Sequence, residues 1–92
     1  MVDGTGPAPM IEMFSGPGCA YCARTRALLE ARGLEYAEYD ISEPDHMREY
    51  AERLPRTRSI PQIFIGGEHI GSWEDLQLLD GDGRLADMIS TS

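Results

Sequence analysis

The chain has 92 residues, a length that supports one hydrophobic core and excludes a multidomain arrangement. Its 41% hydrophobic and 26% charged residues match a folded globular domain and exclude an intrinsically disordered one. Sixteen acidic against eight basic residues give a formal net charge of −8, which argues against a general nucleic-acid or anionic-membrane binder, since both need a basic face.

All eight basic residues are arginine, and six of them cluster at Arg24 and Arg26 and again at Arg48, Arg53, Arg56 and Arg58. No apolar run approaches the length of a membrane span. "MVDGTGPAP", residues 1–9, is rich in Gly and Pro and lacks the basic and apolar regions of a secretory leader. It is expected to be a flexible lead-in to a single domain over 10–92, with the cytoplasm as the default location.

In chain order, "MIEMF" (10–14) alternates and reads as a short central strand, and "SGPG" turns the chain. Tyr21 to Arg32 predicts a helix with Ala23, Ala27, Leu28 and Ala31 at helical spacing and Gly33 as its C-terminal cap. "LEYAEYD" (34–40) predicts a strand exposed on one face. Ser42 with Asp45 and Pro44 marks a second helix start. The buried stripe of that helix is expected at Met47, Tyr50, Ala51 and Leu54.

"SIPQIFI" (59–65) predicts a buried strand beginning with a proline, and "GG" (66–67) with "EHI" (68–70) completes a hairpin. Ser72 is expected to cap a helix carrying Trp73, Leu76 and Leu79. "DGDG" (80–83) breaks that helix, and Leu85, Met88 and Ile89 predict a last short one. The order predicts a small mixed sheet with helices, in which the first β-α-β unit is a parallel, right-handed pair.

"SGPGCAYC" (15–22) holds both cysteines, Cys19 and Cys22. A closed zinc site needs four ligands, and His46 and His69 lack finger-type spacing from a second pair. His46 reads as helix surface and His69 as a satisfied or exposed imidazole. A structural disulfide here closes a tiny loop and stabilises little, and two buried inert thiols are a further alternative. The redox reading uses every local feature. A strand, a turn and a helix starting at the pair put Cys19 at a helix N-terminus, where the dipole and free N–H groups favour thiolate. Cys22, one turn on, is then placed to resolve a mixed disulfide, and C-x-x-C near a β-α-β pattern reads as a thioredoxin-like redox motif.

With "CAYC", "RTRALLEARGLEYAEYDI" and "TRSIPQIFIGGEHIGSWEDLQLL" in this order and spacing, the sequence resembles the glutaredoxins from about Met10 to Ile89. The resemblance implies an α/β thioredoxin fold, a four-stranded mixed sheet flanked by helices on both faces. It implies glutathione-dependent thiol–disulfide exchange, with Cys19 as nucleophile and Cys22 as resolving thiol. Tyr21 would flank glutathione, and Ser59, Ile60 and Pro61 match the family's segment with a cis bond before the proline. The Ile60 N–H and C=O would then bind glutathione's cysteine portion like an added strand. "GSWED" (71–75) matches the helix start that holds the γ-glutamyl end. There the Trp73 and Glu74 N–H groups would bind its carboxylate, and the acidic side chain of Glu74 or Asp75 its ammonium. Arg48, with Arg58 as second choice, would hold the glycyl carboxylate.

Three positions depart from the family pattern: Gly16 where many relatives have lysine, Ala20 where the motif proline is usual, and Trp73 where a smaller residue is common. The implied partners are glutathione and disulfide-containing or glutathionylated proteins, with the chain acting as a monomer. The alternative is a [2Fe–2S] cluster bridging a dimer through Cys19 and glutathione, left open by Ala20. A hydrogen donor to ribonucleotide reductase fed by thioredoxin reductase is a third reading, disfavoured by the complete glutathione segments.

Overall fold

β1 (Ile11–Ser15) is buried along its whole length, as a strand with neighbours on both edges and helices on both faces must be. α1 (Ala20–Ala31) returns the chain to β2 (Ala37–Asp40), which pairs parallel with β1. α2 (Pro44–Arg53) crosses to β3 (Gln62–Ile65), antiparallel to β1, and a hairpin leads to β4 (Glu68–Gly71). α3 (Trp73–Gly81) and α4 (Arg84–Ser90) follow, and the sheet order is β2-β1-β3-β4. This is the expected thioredoxin-like mixed sheet. The computed structural model of the chain describes residues 10–90, so the expected lead-in over 1–9 lies outside the described residues.

The two-residue period of β1 divides the core. Ile11 and Met13 pack with Leu29 of α1, Leu76 of α3 and Leu85 of α4. Phe14 packs on the other face with Tyr50 and Leu54, from α2 and its end, and with Phe64 of β3. Three helices therefore cover one face and α2 alone the other. Gly66 and Gly67 join β3 to β4 with φ of 61° and 84°. Two successive positive φ values are what a two-residue hairpin turn of primed type requires.

Several expectations are corrected. The buried face of α1 is Cys22, Thr25 and Leu29, not the alanine stripe, since Ala23, Ala27 and Ala31 are exposed. Thr25 tolerates full burial because its hydroxyl donates to the Tyr21 carbonyl at 2.8 Å. β2 starts at Ala37, not at Leu34, because the Leu34 N–H is taken by the Leu29 carbonyl in closing the end of α1.

Ser42 does not cap α2. Its N–H donates to Asp40 Oδ1 at 2.8 Å in a preceding turn, and Glu43 is the cap residue. Of the expected stripe, Tyr50 and Leu54 are buried while Met47 and Ala51 are exposed. Arg53 covers that face instead, its guanidinium 4.9 Å from the Phe64 ring centroid and 5.6 Å from that of Phe14, with both terminal nitrogens on Glu12.

His46 is half-buried, not surface: its ring lies 5.4 Å from that of Tyr39, and Nδ1 is 3.0 Å from the Asp40 carbonyl. β3 begins at Gln62, leaving Ser59–Pro61 as irregular chain. α3 runs through Asp80 and Gly81, within the expected break, where the Asp80 carboxylate makes a two-pronged pair with Arg32 at the C-cap of α1, both bonds 2.8 Å.

Candidate active site

Cys19 occupies the N-cap of α1 with an extended backbone, φ −95° and ψ 107°. Its sulfur takes the place that a serine or aspartate oxygen usually fills, accepting the Cys22 N–H at 3.1 Å. No acidic residue stands in the first turn of α1, so the positive end of the helix faces the sulfur without a side-chain carboxylate to oppose it. Cys19 is half-buried and Cys22 fully buried, and the two are joined in a disulfide with Cα atoms 5.2 Å apart. The couple thus has one partly accessible sulfur, at Cys19, and one enclosed, at Cys22.

The Ile60–Pro61 bond is cis. The Ile60 carbonyl oxygen lies 3.8 Å from Cys19 Sγ, which places the loop before β3 against that sulfur. Among the described residues the Ile60 N–H has no protein acceptor. Gly16, just before the motif, is buried, and a side chain there would run into Ile60, whose Cδ1 stands 2.7 Å from where a Cβ would be. The space beside Gly16 is therefore filled from across the site by an isoleucine.

Beside the disulfide lies a cleft of about 220 Å³ lined by Tyr21, Ser59, Ile60, Pro61, Ser72, Trp73 and Glu74. Six of the eight expected ligand-binding positions thus come together from three separate stretches of chain. Ser72 joins them, a residue the sequence marked only as a cap.

Asp75 is turned away from the cleft into the start of α3, where its carboxylate accepts the Ser72 N–H at 2.9 Å and the Ser72 hydroxyl at 3.3 Å. Arg48 is outside the cleft lining, exposed on α2 and paired with Asp45 at 3.3 Å. Arg58 is exposed and next in sequence to Ser59.

Chemically, the cleft sets the Cys19 sulfur beside the unpaired Ile60 N–H on one wall and a helix N-terminus on the other. The second wall suits a carboxylate and the first an extended peptide.

A family model described as glutaredoxin matches residues 11–70. This chain belongs to the glutaredoxin family. Glutaredoxin 3 of Escherichia coli is 36% identical over 75 residues, covering 82% of this chain and 90% of that protein. The solution structure of glutaredoxin from Brucella melitensis is 42% identical with a TM-score of 0.70, over 90% of this chain and 92% of that one. A buckwheat glutaredoxin–glutathione complex is 30% identical with a TM-score of 0.82, over 90% of this chain and 78% of that one.

As a glutaredoxin with both motif cysteines in one disulfide, this protein is a thiol–disulfide oxidoreductase. Among the described residues no helix is long and apolar enough to cross a membrane.

Proposed function

We propose that this glutaredoxin reduces protein–glutathione mixed disulfides and protein disulfides with glutathione as the electron donor. The observation that carries the reading is the cleft beside Cys19, with a free backbone N–H at Ile60 on one wall and the first turn of α3 on the other. In this reading the glutathione cysteine portion pairs with the Ile60 backbone, and Tyr21 and Pro61 flank it. The γ-glutamyl carboxylate meets the N–H groups of Trp73 and Glu74, and the Glu74 carboxylate faces the γ-glutamyl ammonium. Asp75 acts one step back, by fixing the helix start. Neither Arg48 nor Arg58 lines the cleft, and Arg58, next in sequence to Ser59, is taken here as the cation for the glycyl carboxylate.

The chemistry balances as two sulfur exchanges. The Cys19 thiolate attacks the glutathione sulfur of a mixed disulfide, and the target protein leaves as a thiolate. A second glutathione thiolate then attacks the glutathione sulfur on Cys19, releasing oxidised glutathione and restoring the Cys19 thiolate. For a protein disulfide, Cys22 displaces the target from Cys19, giving the Cys19–Cys22 disulfide, which two glutathiones reduce. Couples of this type lie at roughly −200 to −230 mV, within reach of a glutathione pool.

A [2Fe–2S] cluster would take Cys19 as its thiolate ligand here. Among the described residues no three His, Cys, Asp or Glu side chains converge on a metal position, so the remaining ligands would come from a second copy and from glutathione. No contact in the fold favours that reading over exchange.

The test is regeneration. Turnover of a glutathionylated peptide with glutathione, glutathione reductase and NADPH supports the proposal. Turnover sustained only by thioredoxin reductase, or none at all, contradicts it.

A further inference from the structure

The loop that meets Cys19 is held by a hydrogen-bonded chain that reaches to the far edge of the sheet. Tyr50 of α2 donates its hydroxyl to the Ser59 carbonyl at 2.7 Å. The Gln62 amide nitrogen, at the start of β3, reaches the same carbonyl at 3.3 Å and the Ser59 hydroxyl at 3.1 Å. The Gln62 amide oxygen pairs with His69 Nε2 of β4 at 2.7 Å.

Donor and acceptor roles follow from the chain itself. With both Gln62 amide hydrogens directed at Ser59, its oxygen is left as acceptor, which requires a proton on His69 Nε2. Burial pushes the Tyr50 phenol above its ordinary value, so its hydroxyl stays a donor at neutral pH.

Gln62 is only 4% exposed and Tyr50 2%. Buried polar side chains in a small core are costly unless they are fully paired, and these converge on one carbonyl, one residue before Ile60. Ile60 in turn carries the free N–H and the carbonyl that stands 3.8 Å from Cys19 Sγ. We infer that Tyr50, Gln62 and His69 are positioning residues that set the register of the Ile60 backbone against Cys19 and against the glutathione portion of the substrate. None of them lines the cleft or touches the sulfur pair. The inference rests on the proposed glutathione reading, since Ile60 is where that reading places the tripeptide.

The test compares wild type with Gln62→Met, Tyr50→Phe, His69→Ala and His69→Gln, with Tm recorded for each. Two rates are read: kcat/KM for a glutathionylated peptide, and alkylation of reduced Cys19 by iodoacetamide, which needs no pairing with Ile60. Loss of one buried positioning bond is expected to lower kcat/KM about five- to tenfold in Gln62→Met, Tyr50→Phe and His69→Ala. Alkylation should stay within about twofold of wild type, as expected when α1 and its N-terminus are untouched. His69→Gln, which keeps a side-chain N–H for Gln62, should recover most of the loss.

Wild-type kcat/KM in both Gln62→Met and His69→Ala would overturn the inference. So would parallel losses in both rates that track a fall in Tm, which mark general damage. A wild type inactive on the peptide would overturn the glutathione reading and this inference with it.

Discussion

Gly71 joins the last strand to the cleft helix, and its replacement by alanine should damage both fold and site. Its φ is 128°, a backbone conformation that L residues rarely adopt. A Cβ there would collide with the Asp75 carboxylate, with Asp75 Cγ only 2.7 Å away. That carboxylate is the group that accepts the Ser72 N–H at 2.9 Å, so it cannot swing aside without uncapping α3.

An L residue forced into a sparsely populated backbone region costs about 1–3 kcal/mol, and a lost cap about 1 kcal/mol more. The sum, about 2–4 kcal/mol, corresponds in a domain of this size to a fall in Tm of roughly 10–25 °C. Urea unfolding of the oxidised protein, supported by thermal melts, measures it. Asp75→Asn is the control. It keeps an oxygen acceptor for the Ser72 N–H and should lose less than about 1 kcal/mol. Gly71→Ala within about 0.5 kcal/mol of wild type, the range of neutral surface changes, would show that neither the backbone at 71 nor the Asp75 cap is disturbed.

Two further outcomes follow from buried and half-buried ion pairs. The hydrogen bond from Arg26 holds the Glu38 carboxyl below the ordinary glutamate value of 4.5, and the Ser15 hydroxyl adds to it. A lowered folded-state pKa gives stability that is complete above the unfolded value and lost as pH falls through the folded one. The stability difference between wild type and Arg26→Gln should therefore be constant above about pH 5 and shrink as the pH falls below the ordinary glutamate value. A difference that persists undiminished at low pH would contradict this. Arg53→Met should leave the Glu12 carboxylate, whose side chain is 10% exposed, with the Tyr39 hydroxyl as its remaining partner. The expected loss is about 2–4 kcal/mol by denaturant unfolding, and a neutral result would show that the pair does not anchor α2.

The sequence carries the chemistry of this protein more openly than its packing. Cys19, Cys22 and the start of α1 are legible because their roles depend on spacing within one turn. Ser59–Pro61 and Trp73–Glu74 are marked as site segments by the resemblance to the glutaredoxins, while periodicity reads 59–61 as the start of the strand that begins at Gln62. Glu12 looks like the polar member of an alternating strand, yet it is 8% exposed beneath α2, because its partner Arg53 lies 41 residues away. Met47 and Ala51 fit the apolar period of α2 but face solvent, since the arginine stem and the Tyr50 ring take that surface. The bonds to Ser59 from Tyr50 and Gln62 belong to the same class: they join residues whose meeting is set by the crossing of α2 over the sheet, which periodicity does not encode.

In the proposed function Cys19 is the attacking sulfur and Cys22 only its resolver. The most direct measurement is glutathione-dependent reduction of a glutathionylated peptide by wild type, Cys19→Ser and Cys22→Ser under identical conditions. No turnover is expected in Cys19→Ser and near wild-type turnover in Cys22→Ser, with a glutathione adduct on Cys19 visible by mass spectrometry. Turnover retained in Cys19→Ser, or an adduct on Cys22 instead, would contradict it.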